Sequence, residues 1–160
     1  MPTSIDETAR VVDSTIGDAE IREYVTIHDS TIGDDCRIYE RTSLKKVTVA
    51  DSVDINAGTY IENADIGAEV QIAPNSNIVG VSHELQREGM QFRNDVFDEI
   101  TIRDGAFIGA GAVVAPGTEI GEGAVISAGA TITDDIPAGQ VVLGSPPSQR
   151  VHDIAEWVNL

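Results

Sequence analysis

The chain has 160 residues, with 27 acidic against 10 basic side chains and a formal charge of -17 at pH 7. That length suits one domain with a continuous core, and that charge argues against electrostatic binding to nucleic acid or to an anionic membrane. Hydrophobic residues make up 41% but aromatics only 4%, so aliphatic side chains must fill the interior. No apolar stretch approaches the roughly 20 residues needed to cross a bilayer. The start, Met1-Pro2-Thr3-Ser4-Ile5-Asp6-Glu7, lacks the basic and apolar regions of a signal peptide. The expectation is a soluble cytoplasmic protein. Its carboxylates are spread along the chain, which fits a halophilic source, because molar salt shortens the screening length to about 3 Å. The single cysteine, Cys36, excludes an internal disulfide and reads as a buried structural thiol.

Residues 1–10 read as an N-terminal extension, and a repeat begins near residue 11. Two identical pentapeptides, Ser14-Thr15-Ile16-Gly17-Asp18 and Ser30-Thr31-Ile32-Gly33-Asp34, point to internal duplication. Aliphatic residues then recur at six-residue spacing as Ile32, Ile38, Leu44, then Val49, Ile55, Ile61, then Ile66, Ile72, Ile78, each group starting five residues after the last. A helical period of 3.6 cannot produce this pattern. The ladder fails over about 79–99, where Glu84 occupies an expected inward position in a mostly polar stretch, and it resumes in phase at Ile102. That behaviour predicts an inserted loop that leaves at a corner and returns to it, and such loops often carry function.

From there Ile102, Ile108, Val114, Ile120, Ile126 and Ile132 keep the spacing, with small residues at Ala106, Ala112, Thr118, Ala124 and Ala130. A coil with short flat sides needs one aliphatic side chain per side pointing inward, and small or glycine residues where it turns. The fold class is therefore all-β, a single-stranded parallel β-helix of hexapeptide repeats over 11–145. Pro146 and Pro147 mark a change of conformation, and 146–160 reads as a short C-terminal helix, from Pro147 to Val158, whose Val151, Ile154 and Trp157 cap the open end.

Several segments resemble the hexapeptide-repeat acyltransferases, especially the galactoside, maltose and xenobiotic O-acetyltransferases. These are Ile72-Ala73-Pro74-Asn75, Phe107-Ile108-Gly109-Ala110, Pro116-Gly117-Thr118-Glu119-Ile120-Gly121, Asp135-Ile136-Pro137 and Val142-Leu143-Gly144-Ser145-Pro146. The resemblance implies a left-handed helix of triangular section, a homotrimer, and acetyl-CoA as acyl donor in the groove between subunits. It places the catalytic histidine at His83, a general base for direct transfer to a sugar or other small hydroxyl or amine acceptor. It assigns CoA contacts to Ala110, Ala128 and Thr133. Where the family commonly has lysine before the D-I-P turn this chain has Asp134, so Arg150 is left to carry more of the phosphate contact.

No metal is expected. A γ-class carbonic anhydrase would need a close histidine pair, and His28, His83 and His152 are widely spaced. Lys45 and Lys46 read as solvated surface, while Met90, Phe92 and Phe97 either line the acceptor pocket or anchor the loop. The alternative function is a non-catalytic scaffold in which the repeat serves assembly alone.

Overall fold

The computed structural model of the chain describes residues 1–159. The chain winds as a left-handed β-helix of stacked parallel coils with three flat faces. Each strand of a coil is only a few residues long, because one inward aliphatic per side is all the narrow interior accepts. In-register pairing stacks Ile5, Ile21, Ile38, Ile55, Ile72, Ile108, Ile126 and Val142 on the first face. The second face stacks Val11, Ile27, Leu44, Ile61, Ile78, Val114 and Ile132. The third stacks Ile16, Ile32, Val49, Ile66, Ile102, Ile120 and Ile136. From Ile21 onward these residues are buried, so the core is one aliphatic column along the axis.

The five-residue steps in the repeat are tight corners between the second and third faces, at Leu44–Val49 and Ile61–Ile66, where one continuous strand bends around the edge. The corners differ from the expected glycine turns in the first half of the chain. Ten non-glycine residues from Asp13 to Asn75 adopt φ between 49° and 61°, among them Tyr24, Arg41, Lys46 and Glu69, whereas from Gly105 onward glycine takes the left-handed corner position. Each such non-glycine residue costs about 1 kcal/mol against an ordinary conformation.

The duplicated pentapeptides sit one above the other, with Thr15 paired to Thr31 and Ile16 to Ile32. Their serines bridge the corner: Ser14 Oγ accepts from the Ser30 N–H at 3.0 Å, and Ser30 Oγ accepts from the Val47 N–H at 3.0 Å. Their aspartates do the same at the next corner. The Asp34 carboxylate accepts from the Asp18 N–H at 2.9 Å, and Asp51 accepts from the Asp34 N–H at 2.8 Å. The repeated residues are thus those that satisfy backbone donors where the sheet ladder breaks.

Cys36 lies in the inward column between Ala19 and Val53. Its thiol donates to the Ala50 carbonyl at 3.1 Å, and burial pushes its pKa up. On the second face, burial and a hydrogen bond to Glu62 push the Tyr60 phenol up to about 12. A raised folded-state value stabilises the protein fully below the unfolded pKa of about 10 and loses that contribution as pH rises through 12. An ultraviolet pH titration should show one tyrosine ionising near pH 12, and Tyr60→Phe should remove that step.

Both ends differ from expectation. The coil starts within the residues assigned to an extension, since Ser4–Ile5 pairs with Glu20–Ile21. Strands this short, flanked by Asp6, Glu7 and Arg10, present a poor edge for another sheet to extend. At the far end, most of the expected helix is a turn followed by the strand Arg150–Asp153, antiparallel to Gln140–Leu143, and only Ile154–Trp157 is helical. The reason is the open edge of the last coil, which offers backbone partners that a free helix would leave unpaired. Val151 therefore does not share a face with Ile154 and Trp157 as expected. The His152 ring packs against Trp157 instead, with centroids 5.3 Å apart. Leu160, within the span read as helix, lies outside the described residues.

Candidate active site

The insertion is a β-hairpin. Its first arm, Val81–Gln86, pairs antiparallel with its second, Gly89–Phe97. It leaves the helix at the corner between the second and third faces, where Gly80 accepts from the Asp98 N–H at 2.9 Å and from Asn63 Nδ2 at 2.8 Å. A Cβ on Gly80 would meet the Asn63 and Asp98 carbonyl oxygens, so only glycine lets both arms close on the coil. Phe97 is held from below by Lys46, whose Nζ lies 4.2 Å from the ring centroid. Lys46 is exposed, as expected, and also contacts this ring, so Phe97 takes the anchoring role of its two readings. All three of Met90, Phe92 and Phe97 remain exposed, Phe92 the most.

His83 stands on the first arm directly opposite Asp95, with Nδ1 3.2 Å from Asp95 Oδ1. Both side chains are about half exposed, at 49% and 51%. A carboxylate on Nδ1 favours the tautomer carrying its proton there and leaves Nε2 as the basic nitrogen. Asp95 was missed in the sequence. Four residues of the second arm, Gln91 to Asn94, oppose only Glu84 of the first between the His83–Asp95 and Leu85–Met90 pairs, so the register cannot be counted from a tight turn.

The other expected site residues fall at two corners. Ala110 and Ala128 are exposed at the corner between the first and second faces and stack on successive coils, the Ala110 carbonyl accepting from the Gly129 N–H at 2.8 Å. Gly109, beside Ala110, lies so close to the Ser127–Ala128 backbone that a Cβ there would collide with it. Arg150 is exposed and pairs with Leu143, while the adjacent Gln149 reaches the Thr131 carbonyl at 2.7 Å, which holds this segment beside the same corner. Thr133 is exposed at the opposite corner, the one from which the hairpin departs, with Asp134 next to it. Within one chain, then, the His83–Asp95 pair and the Ala110–Ala128 stack flank the second face from opposite sides. A five-residue crossing such as Ala128 to Thr133 spans up to about 17 Å.

The three histidines do not converge: His28 lies on the second face near the start and His152 in the terminal strand. No group of three His, Cys, Asp or Glu side chains among the described residues is placed to hold a metal. No helix among them is long and apolar enough to cross a membrane. A groove of about 650 Å³ lies at the third corner among Arg103, Asp104, Glu119, Glu122 and Asp135, away from the hairpin.

Comparison with known proteins agrees with this architecture. The chain is similar to a galactoside O-acetyltransferase of Lactococcus lactis, 33% identical over 128 residues that cover 73% of this chain and 60% of that protein. It is also similar to the bifunctional protein GlmU of Shouchella clausii, 30% identical over 109 residues, 68% of this chain but 22% of that protein. The chain therefore spans less than two thirds of the first and under a quarter of the second. Among solved structures, AntD, an N-acyltransferase from Bacillus cereus in complex with dTDP-4-amino-4,6-dideoxyglucose and coenzyme A, superposes with a TM-score of 0.79 at 19% identity, covering 92% of this chain and 89% of that one. A maltose O-acetyltransferase from Clostridium difficile gives 0.54 at 22% identity, with coverages of 83% and 67%. These two likenesses establish the fold. The bacterial transferase hexapeptide profile (six repeats) matches residues 99–134, and the GlmU-like C-terminal hexapeptide profile matches 2–97. With more than half of its length matched by the latter, the chain belongs to the GlmU-like hexapeptide-repeat family.

Proposed function

We propose that the protein is an acyl-CoA-dependent O- or N-acyltransferase, with acetyl-CoA as donor and a small hydroxyl or amine compound as acceptor. The observation that carries this reading is the His83–Asp95 pair, held on a hairpin with the other imidazole nitrogen free to act. His83 Nε2 takes the proton of the acceptor as its oxygen or nitrogen attacks the thioester carbonyl. The tetrahedral adduct then collapses, the C–S bond breaks, and the imidazolium returns the proton to the departing CoA thiolate. Asp95 positions the ring throughout.

CoA would lie along the corner of Ala110 and Ala128, where small side chains let the pantetheine arm approach the backbone, with Thr133 and Arg150 as further contacts. The face that separates this corner from His83 favours a homotrimer, in which the hairpin of one protomer meets the CoA corner of the next and the site is repeated three times. The relatives named for O-acetyl transfer and the CoA-bound N-acyltransferase support the same class. The absence of a long apolar helix fits a cytoplasmic location, and the charge of -17 fits a halophilic one.

The test is release of CoA thiol from acetyl-CoA against sugars and amines in molar KCl, with CoA binding and molecular mass measured in parallel. Trimer, CoA binding and acceptor-dependent thiol release are expected; a protein that assembles but binds no CoA at any salt would favour a scaffold. Carboxylates such as Asp134 repel the nucleotide phosphates, so CoA should bind at least threefold more tightly in 2 M than in 0.1 M KCl, and Arg150→Ala should weaken it by about tenfold.

A further inference from the structure

We propose that Leu85 and Met90 form an apolar wall beside His83, and that the acceptor carries an apolar group next to its attacking hydroxyl or amine. This rests on the acyltransferase reading of the same site. The extra residues of the hairpin all lie on its second arm, so the first arm keeps its alternation and Leu85 projects to the same side as His83. Met90 stands directly opposite Leu85, just as Asp95 stands opposite His83. The intervening Glu84 is turned to the other side, where Asn94 holds its carboxylate. His83, Asp95, Leu85 and Met90 thus make one continuous patch, polar toward the base of the hairpin and apolar toward its tip.

Leu85 is 73% exposed and Met90 56%, so nothing in their own chain covers them. Residues two apart on a strand are separated by about 7 Å, which puts a substituent a few bonds from the nucleophile over this pair. The charges nearby argue for an occupant without an anionic group. Arg93 is stacked over Phe92 at 4.7 Å and Lys46 over Phe97 at 4.2 Å, Arg87 at the hairpin tip has Glu88 as its chain neighbour, and the group facing His83 is the Asp95 carboxylate.

The experiment compares methyl, propyl and hexyl galactosides, and the matching 1-aminoalkanes, as acceptors for the natural protein and for L85S/M90S. Both steady-state transfer and direct binding by calorimetry in the presence of CoA are read. The expected result is a KM and a dissociation constant that fall about tenfold from methyl to hexyl in the natural protein and are nearly flat in the variant. Transfer that proceeds with no dependence on chain length overturns the wall. So does a variant that keeps the dependence but changes molecular mass, which assigns the pair to a second copy of the chain. Chain-length-dependent binding without transfer supports the wall and counts instead against the transferase reading.

Discussion

His83→Ala should lower kcat for acyl transfer by about a hundred- to ten-thousandfold, the range over which a positioned general base accelerates proton removal. The Michaelis constant for the acyl donor should change little, because Ala110 and Ala128, the corner proposed to hold the pantetheine arm, lie across the second face from the hairpin. Asp95→Asn keeps the shape of the carboxylate but removes the charge that favours the proton on Nδ1, and it should lower kcat by about tenfold or more. The two substitutions act on one unit, so the double variant should be no slower than His83→Ala alone. Steady-state rates with acetyl-CoA in molar salt, together with circular dichroism to confirm folding, check all three. Unchanged transfer in His83→Ala would remove the base assignment, and additive losses would separate Asp95 from it.

The second large effect concerns stability. Ile66 is fully buried on the third face, between Val49 below and Ile102 above. Ile66→Ala opens a gap in a column that has a rigid coil on either side to resist collapse, and it should cost about 3–4 kcal/mol. The same change at Ile16, half-buried in the first coil with a neighbour on one side only, should cost about 1 kcal/mol. Urea unfolding in molar KCl measures both. Equal losses at the two positions would contradict a solenoid whose coils are held by their nearest neighbours.

The fold was legible because every side of every coil asks for the same thing: an aliphatic residue at a fixed interval. Even the insertion declared itself, since Glu84 cannot occupy an inward position. What escaped the sequence depends on pairing rather than period. Asp95 becomes visible only when the two hairpin arms are aligned through an irregular register. Lys46 looks like any exposed lysine until Phe97, far along the chain, is brought over it. At the C-terminus the residues around Val151 and His152 fit a helical stripe as well as a strand, and the choice was made by an edge that exists only once the last coil is built. The position of His83 came from resemblance to the acyltransferases; its orientation toward a carboxylate came from the hairpin.

The two ends of the hairpin are joined by the Asp98 N–H to Gly80 carbonyl bond, and the ladder from Ile72 to Ile108 continues as though nothing stood between. An excursion whose stems meet side by side where they leave the coil behaves as a cassette. Under the acyltransferase reading, exchanging residues 81–97 for the corresponding segment of a relative should change which acceptor is used while leaving the aliphatic column in place.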